Sequence, residues 1–310
     1  MTQHPRTYEG RLLPKQDEEL VDQGLQFDLG TLSRRTALRV LGIGGGSLAL
    51  AACARSTSAP ATTSTTDAGS ATTSTSTSSV TGLTEIPDET AGPYPGDGSN
   101  GADVLEQSGV VRSDLTTSFG SSTTRAEGVP MTLELTITDL ASSGDPFEGV
   151  AVYVWHCDRE GRYSMYSEGV EEENYLRGVQ IAGADGVVTF TSIFPACYDG
   201  RWPHIHFEVY PDEASITDAS KAIATSQVAL PKGVCEAVYA TTGYEASVSN
   251  LSRVDLSSDN VFGDDGGRSQ LGTTTGDVTE GYTVRLTVPV DTRTEPTGGA
   301  APGGAPGRRP

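Results

Sequence analysis

Two histidines, an arginine and a tyrosine lie close together in the stretch 195-PACYDGRWPHIHFEV-209. Residues i and i+2 of a β-strand project from the same face, so a strand here would place His204 and His206 side by side. Two imidazoles on one face can bind one metal ion, and Tyr198 could add an anionic phenolate oxygen. The H-x-H pair alone is weak support for a metal site, because histidines also occur as ordinary polar strand residues.

Alternation of apolar and polar residues predicts the strands that would position these side chains. Around the histidines, Ile205, Phe207 and Val209 would form the face that packs into the core. Glycine-containing and aspartate-containing turns separate the strands, and long helical periodicity is absent apart from short possibilities near 168–176 and 233–240. The chain is therefore predicted to be all-β, most simply an antiparallel β-sandwich with long loops. The predicted strands are 131–140, 150–158, 187–194, 204–210, 223–230 and 282–290.

The amino-acid composition indicates how much of the chain is packed core and which partners it could bind. Hydrophobic residues make up 35% and aromatic residues 6% of the 310 residues, which is low for a chain that is entirely packed core. Residues 1–52 carry equal numbers of basic and acidic side chains, so the net charge of −20 lies in the rest of the chain. An acidic body repels phosphate groups, so nucleic acid is not expected as a partner. We predict that the acidic run 255–267 is a solvated loop.

The segment 33-SRRTALRVLGIGGGSLALAAC-53 is typical of an export signal. Arg34 and Arg35 form a twin-arginine pattern, and the apolar stretch that follows is too short for a bilayer span of about 20 residues. The ending Leu50–Cys53 resembles a bacterial lipobox, in which Cys53 would carry the lipid. A buried helix with a chance arginine pair is the alternative, but the glycines would each cost about 1 kcal/mol in a helix. We predict twin-arginine export and lipid anchoring at the outer side of the bacterial cell membrane.

These features divide the chain into four parts. Residues 1–53 would be the signal, and 54–81 a flexible linker, because this tract of Ser, Thr and Ala lacks apolar residues to bury. Residues 82–291 would form the β-sandwich domain. The Pro/Gly-rich tail, 292–310, is predicted to be disordered.

Four motifs of this domain occur in an order that resembles a known family. They are 155-WHCDREGRY-163, 185-DG-186, 195-PACY-198 and 201-RWPHIHF-207. Together they resemble the intradiol ring-cleavage dioxygenases, the family of catechol 1,2- and protocatechuate 3,4-dioxygenases. The resemblance implies a β-sandwich with non-haem Fe(III), which uses O2 to cleave a catechol-type diol to a cis,cis-muconate-type product.

The resemblance also implies roles for individual residues. Tyr198 would leave the metal to accept a proton from the substrate, and Arg201 would lie beside the substrate and stabilise developing charge. Gln227 and Tyr94 would contact the substrate. The implied iron ligands are Tyr163, Tyr198, His204 and His206.

The four cysteines raise a separate question. If Cys53 carries a lipid, three cysteines remain in an exported domain, where a disulfide is permitted. We predict a Cys197–Cys235 disulfide, which would clamp the Tyr198 loop to the segment after the Gln227 strand.

Two other functions stay open from the sequence. One is a non-catalytic cell-surface β-sandwich lipoprotein that binds a ligand, and the other is an enzyme with copper or zinc, although two tyrosinates argue against zinc. The expected partners are the catechol-type substrate, O2 and, through the lipid anchor alone, the membrane. The oligomeric state is also open, with a homodimer as one candidate.

Overall fold

The computed structural model describes residues 83–298 and the backbone of two short paired strands, β1 (Thr7–Tyr8) and β2 (Arg11–Leu12). The predicted signal around Arg34 and Arg35, Cys53, and the linker 54–81 lie outside the described residues, as does the chain beyond residue 298. Among the residues described, no helix has the length and apolar character needed to cross a membrane.

The body is built mainly from strands joined by long loops. Two short helices, α1 (Lys232–Tyr239) and α2 (Glu245–Leu251), follow one another after the ninth strand. The strands are β3 (Pro130–Asp139), β4 (Asp145–Pro146), β5 (Ala151–Trp155), β6 (Arg177–Ile181), β7 (Val187–Ile193), β8 (His204–Tyr210), β9 (Ala224–Ala229), β10 (Thr273–Asp277) and β11 (Gly281–Val290).

These strands form a five-stranded and a four-stranded sheet, which confirms the all-β class. The four-stranded sheet is antiparallel throughout, in the order β6-β5-β8-β9. The other has the order β10-β11-β3-β4, with β7 also paired to β3. One feature differs from the antiparallel prediction, because β11 runs parallel to β3, from Tyr282 opposite Met131 to Val290 opposite Asp139. The long chain between the two strands permits the crossover that a parallel pair requires.

The core contains the apolar faces of strands from both sheets. Ile205, Phe207 and Val209 of β8 are fully buried in it, as predicted, together with Leu135 of β3 and Val154 of β5. Burying each large apolar side chain contributes about 1.5–3 kcal/mol. Because side chains alternate along a strand, this packing directs the other face of β8 away from the apolar core and toward the covering loops.

The C-terminal boundary differs from the predicted one. Residues 292–298 were expected in the disordered tail, yet they lie against the segment that precedes β3. The Thr294 hydroxyl donates to Glu85 Oε1 at 2.6 Å, and the Thr297 amide donates to Asp88 Oδ2 at 2.7 Å. The packed body therefore extends past residue 291.

Candidate metal centre

Strand β8 places two histidines on the face that the apolar core leaves open. His204 and His206 are both buried, and their Nε2 atoms lie 3.1 Å apart. The Tyr198 hydroxyl, from the loop before β8, lies 3.2 Å from His204 Nε2. Three of the four predicted ligands therefore direct their donor atoms to one point.

The fourth predicted ligand, Tyr163, lies beside these three on the loop that follows β5. Its ring centroid lies 6.0 Å from that of Tyr198 and 6.3 Å from that of His206. Its side chain is 1% exposed, and its hydroxyl has no hydrogen-bond partner. An unpaired buried hydroxyl costs about 1–3 kcal/mol, which a bound metal ion would offset.

The hydrogen bonds of the histidines fit metal binding. His204 Nδ1 lies 2.6 Å from the Trp202 carbonyl, an acceptor, so Nδ1 carries the proton and Nε2 keeps its lone pair. The His206 ring stacks on Trp155, with centroids 4.8 Å apart and an interplanar angle of 8°, which fixes the ring orientation. Burial lowers the pKa of both His204 and His206, so both imidazoles stay neutral, as metal ligands must be.

The donor set suits a hard, oxidised metal ion. The described residues contain no group of three or more His, Cys, Asp or Glu that could hold a metal, so a metal here requires the tyrosine oxygens. Burial, followed by the nearby Tyr198, raises the pKa of Tyr163 well above its usual value. A bound cation would reverse that shift by stabilising the phenolate. Two phenolate oxygens with two imidazole nitrogens fit Fe(III) better than zinc.

The segment around Gly92 covers this centre from the side opposite the sheet. Gly92 has φ +73°, and a Cβ there would lie 3.3 Å from His206 Cε1, so glycine permits the close approach. Tyr94, the predicted substrate contact, is buried with its ring centroid 4.9 Å from that of Tyr163. The structure thus places Tyr94 beside a predicted ligand.

Arg177 of β6 fastens that covering segment to the Tyr163 loop. It is 1% exposed, and its guanidinium donates to the Tyr94 and Pro95 carbonyls at 2.9 and 2.8 Å. The same group donates to the Ser164 hydroxyl and carbonyl, each at 3.0 Å, and to the Tyr153 hydroxyl at 3.0 Å. One buried cation thereby connects both segments that enclose the centre.

Replacing Arg177 by methionine should therefore destabilise the domain. The change leaves several buried carbonyl groups without donors, and we expect the free energy of unfolding to fall by about 2–4 kcal/mol. Urea denaturation measures this loss. Arg285→Met is the matched control, because it removes only an exposed ion pair with Glu134 and should cost less than about 1 kcal/mol. Equal losses in the two variants would contradict the role of Arg177.

Arg201 and Gln227 lie next to the two histidines. Arg201 Nη2 donates to Gln227 Oε1 at 2.8 Å, and Gln227 is the residue opposite His206 in the β8–β9 pair. Gln227 Nε2 donates in turn to the Thr90 carbonyl at 3.0 Å. The structure therefore brings both predicted pocket residues to the centre, connected by a direct hydrogen bond.

Sequence reasoning missed a buried carboxylate at this site. Asp259 belongs to the acidic run that was predicted to be a solvated loop, but it is 2% exposed and lies 3.0 Å from Arg201 Nε. Neither the spacing nor the composition of that run distinguishes Asp259 from its neighbours. The pairing of acidic and basic residues far apart in the chain becomes visible only in three dimensions.

The predicted Cys197–Cys235 disulfide is not formed in the structure, where both residues are buried free thiols. Cys197 Sγ is directed into its own loop, 3.5 Å from the Arg201 carbonyl. Burial raises the pKa of Cys197 to about 12, so the thiol stays protonated and reacts slowly with oxidants. Hydrogen bonds clamp the Tyr198 loop instead, because the Cys197 amide donates to Ser247 Oγ at 3.0 Å and Asn250 Nδ2 donates to the Cys197 carbonyl at 2.8 Å.

Glu89, near Arg201, gives the domain a pH-dependent stability. Burial, followed by the charge of Asp264, raises the pKa of Glu89 from 4.5 to about 8, although Arg201 acts in the opposite direction. A carboxyl group whose pKa is raised by folding binds more protons in the folded state. Its contribution to stability is therefore lost as the pH rises from about 4.5 to about 8.

Glu89→Gln cannot ionise and should escape this loss. At pH 9 we expect its free energy of unfolding to exceed that of the wild type by about 1–3 kcal/mol, with the difference disappearing near pH 4. Urea denaturation at both pH values measures the change. Glu106→Gln, at an exposed position, is the control for the loss of one acidic side chain. A pH-independent difference for Glu89→Gln would contradict the raised pKa.

Comparison with known proteins finds similarity over the part of the chain that carries this centre. The dioxygenase family model (Dioxygenase_C) matches residues 105–213, a range that includes all four predicted iron ligands. Chlorocatechol 1,2-dioxygenase of Rhodococcus opacus is 36% identical over 58 residues, covering 19% of this chain and 23% of that protein. Catechol 1,2-dioxygenase 1 of Acinetobacter lwoffii is 29% identical over 104 residues, covering 27% and 33%. The chain thus spans about a quarter to a third of the curated relatives it matches.

The fold also resembles that of solved structures. An intradiol ring-cleavage dioxygenase from Tetranychus urticae aligns with a TM-score of 0.55 at 20% sequence identity, covering 71% of this chain and 100% of that one. At this identity the alignment shows a shared fold. The family-model match and the two related sequences show that part of this chain is similar to dioxygenases, and the solved structure shows that it shares their β-sandwich fold.

Proposed function

We propose that this chain is a non-haem Fe(III) dioxygenase that opens the ring of a catechol-type diol between its two hydroxylated carbons. The single observation that carries the proposal is the convergence of two tyrosine hydroxyls and two imidazole Nε2 atoms at one buried point. A ligand-binding lipoprotein without catalytic activity has no use for such a set. Both atoms of O2 enter the product, which is of the cis,cis-muconate type.

Iron is the cofactor that the donor set supports. The residues that would hold it are Tyr163, Tyr198, His204 and His206. When bound there, Fe(III) would act as a Lewis acid and redox centre for the reaction of the diol with O2, which is otherwise slow because of spin.

The two tyrosines have different surroundings, and we assign them different tasks. Tyr198 is only partly buried and lies on the loop before β8, so it is the ligand that can move aside when the diol binds. Its phenolate then accepts a proton from a substrate hydroxyl, as a base within hydrogen-bond reach can. Tyr163 is enclosed on all sides and keeps its position.

Arg201 supplies fixed positive charge beside the reacting ring. It is buried, so its field is weakly screened, and an arginine stays protonated at every working pH. A charge already in place stabilises negative charge that develops on the substrate without further reorganisation. Gln227 orients Arg201 through their hydrogen bond, and Tyr94 lines the pocket.

We propose that twin-arginine export and a lipid on Cys53 locate this activity outside the cytoplasm. We propose that the protein is lipid-anchored at the cell membrane and that residues 54–81 tether the domain. Support for this location comes from the sequence alone. The partners are the catechol-type substrate and O2, and a homodimer is the oligomeric state to test first.

Visible absorption tests the proposed iron site. Tyrosinate bound to Fe(III) absorbs visible light strongly, so iron-loaded protein should be coloured, and anaerobic catechol should shift the band. Tyr163→Phe should weaken the band, whereas Tyr166→Phe should leave it unchanged, because Tyr166 bonds to Gly96 and Asn100. A colourless protein that nevertheless contains one iron per chain would contradict the ligand set.

A further inference from the structure

Asp259 is the most deeply buried carboxylate of the acidic run 255–267. Its two oxygens accept hydrogen bonds from the end of the Tyr198 loop and from its own loop. Oδ2 accepts from Arg201 Nε at 3.0 Å and from the Trp202 amide at 2.6 Å. Oδ1 accepts from the Val261 and Phe262 amides at 2.8 and 3.1 Å. Backbone amides of Trp202, Val261 and Phe262 therefore hold the carboxylate in place independently of its contact with Arg201.

The guanidinium of Arg201 is oriented by two partners. Its Nε and Nη2 atoms donate to the two oxygens of Asp259 at 3.0 and 3.4 Å, and Nη2 also donates to Gln227. Two parallel bonds between a planar guanidinium and a carboxylate fix the plane of the arginine as well as its position. A lysine or an unpaired arginine at this position would lack that constraint.

Burying the ion pair of Arg201 and Asp259 costs free energy, because both charged groups lose their contact with water. Burial opposes ionisation of Asp259, but the Arg201 charge together with the hydrogen bonds from Arg201 and the Trp202 amide outweighs it and lowers the pKa of the carboxyl. Removing one partner of a buried ion pair leaves the other charge uncompensated. A pair that costs free energy to bury is a weak source of stability, which makes a role in orientation the better explanation.

We propose that Asp259 is a positioning residue that holds the Arg201 guanidinium, by its two-oxygen contact, in the orientation from which it acts on the substrate. This inference rests on the proposed function, because it assumes that Arg201 lies beside the reacting ring. Asp259 itself does not touch the iron ligands' donor atoms, so its loss should change turnover rather than iron binding.

A double-mutant cycle on kcat tests the coupling of the two residues. Asp259→Asn keeps the shape of the side chain and should lower kcat about 10- to 100-fold with unchanged iron content, and Arg201→Met should lower it about 10²- to 10³-fold. The double variant should be no slower than Arg201→Met, because the proposal has Asp259 affect turnover through Arg201 rather than through its contacts with backbone amides. If Asp259→Asn lowers kcat by the same factor in both backgrounds, Asp259 does not act through Arg201.

A second measurement needs neither iron nor activity. In the metal-free protein, the Arg201 Nε–H hydrogen should exchange with solvent at least about 10-fold faster in Asp259→Asn than in the wild type. The Arg177 Nε–H, bonded to Ser164 Oγ, serves as an internal reference that should not change. Asp255→Asn, the same change at an exposed position of the same run, should leave both rates unaltered. Equal exchange of Arg201 in wild type and Asp259→Asn would overturn the proposal.

Asp259→Glu separates orientation from charge. It keeps the negative charge but moves the carboxylate by one methylene group, so kcat and the exchange rate should both lie between those of the wild type and Asp259→Asn. A wild-type protein without iron or turnover contradicts the proposed function. The exchange rates of the metal-free variants decide separately whether Asp259 fixes Arg201.

Discussion

Tyr198→Phe should lower kcat on catechol by about 10²- to 10⁴-fold while the protein keeps its iron, because a positioned general base contributes a factor of this size. Phenylalanine preserves the ring packing of the loop before β8 and removes only the hydroxyl that lies 3.2 Å from His204 Nε2. The remaining three ligands can still hold the metal. Oxygen uptake with catechol measures kcat, and an iron assay on the same sample measures occupancy.

Tyr166→Phe is the control for this substitution. It removes a hydroxyl from the same loop as Tyr163, but that hydroxyl bonds to Asn100 and the Gly96 amide, outside the ligand set. Its kcat should stay within about twofold of the wild type. Turnover by Tyr198→Phe at the wild-type rate would remove Tyr198 from the chemistry, and a loss of iron would show that it acts as an anchor rather than as the base.

His206→Ala should weaken iron binding by at least about 100-fold. Removing a residue that only orients a metal ligand typically costs 10- to 100-fold in affinity, and removing a ligand should cost at least as much. The loss also leaves Trp155, which stacks on the His206 ring, without its partner. Iron content after dialysis against a weak chelator measures the effect.

His156→Gln is the matched histidine control. His156 is buried close to the centre, but its ring nitrogens are occupied by Ser192 Oγ at 2.7 Å and the Cys157 carbonyl at 2.8 Å. The substitution should cost stability and leave iron stoichiometry unchanged. If both variants lose iron equally, fold integrity rather than ligation explains the result for His206.

The strands could be predicted from the sequence where side-chain alternation was clear, whereas the residues of the candidate site were predicted from the resemblance to a known family. Strand β8 was predicted with its observed bounds, because Ile205, Phe207 and Val209 alternate with the histidines. Strands β6 and β10 were missed, since RGVQI carries an arginine and a glycine and TTTGD is almost entirely polar. A helix near 168–176 was wrong, because that segment consists mainly of turns, whereas the one near 233–240 is confirmed as α1.

The sequence pattern could not predict contacts between residues that lie far apart in the chain. The parallel pair of β3 and β11 depends on how the intervening chain crosses over, which periodicity does not specify. The burial of Asp259 depends on Arg201, a residue far from it in the chain. The predicted disulfide was wrong for this structure because spacing alone carries no information on the distance between two cysteines. The export signal and the lipid on Cys53 stay predictions.

The residues of the proposed site are concentrated on one face of the four-stranded sheet. The core-facing side chains of β8 fix the strand, and the opposite face presents the two histidines to loops that carry the two tyrosines. Arg177 connects the covering segments, and Asp259 holds Arg201 from the side. Every proposed ligand but Tyr198 is buried, so we expect a substrate to enter beside that residue.

The product formed from catechol under ¹⁸O2 tests the central claim most directly. Mass spectrometry should show a ring-opened cis,cis-muconate that carries two labelled oxygen atoms, one in each new carboxylate, because the ring breaks between the two hydroxylated carbons. A semialdehyde, which forms when the bond beside the diol breaks, would contradict the account. So would a product that carries one labelled oxygen, or the absence of any product from iron-loaded protein.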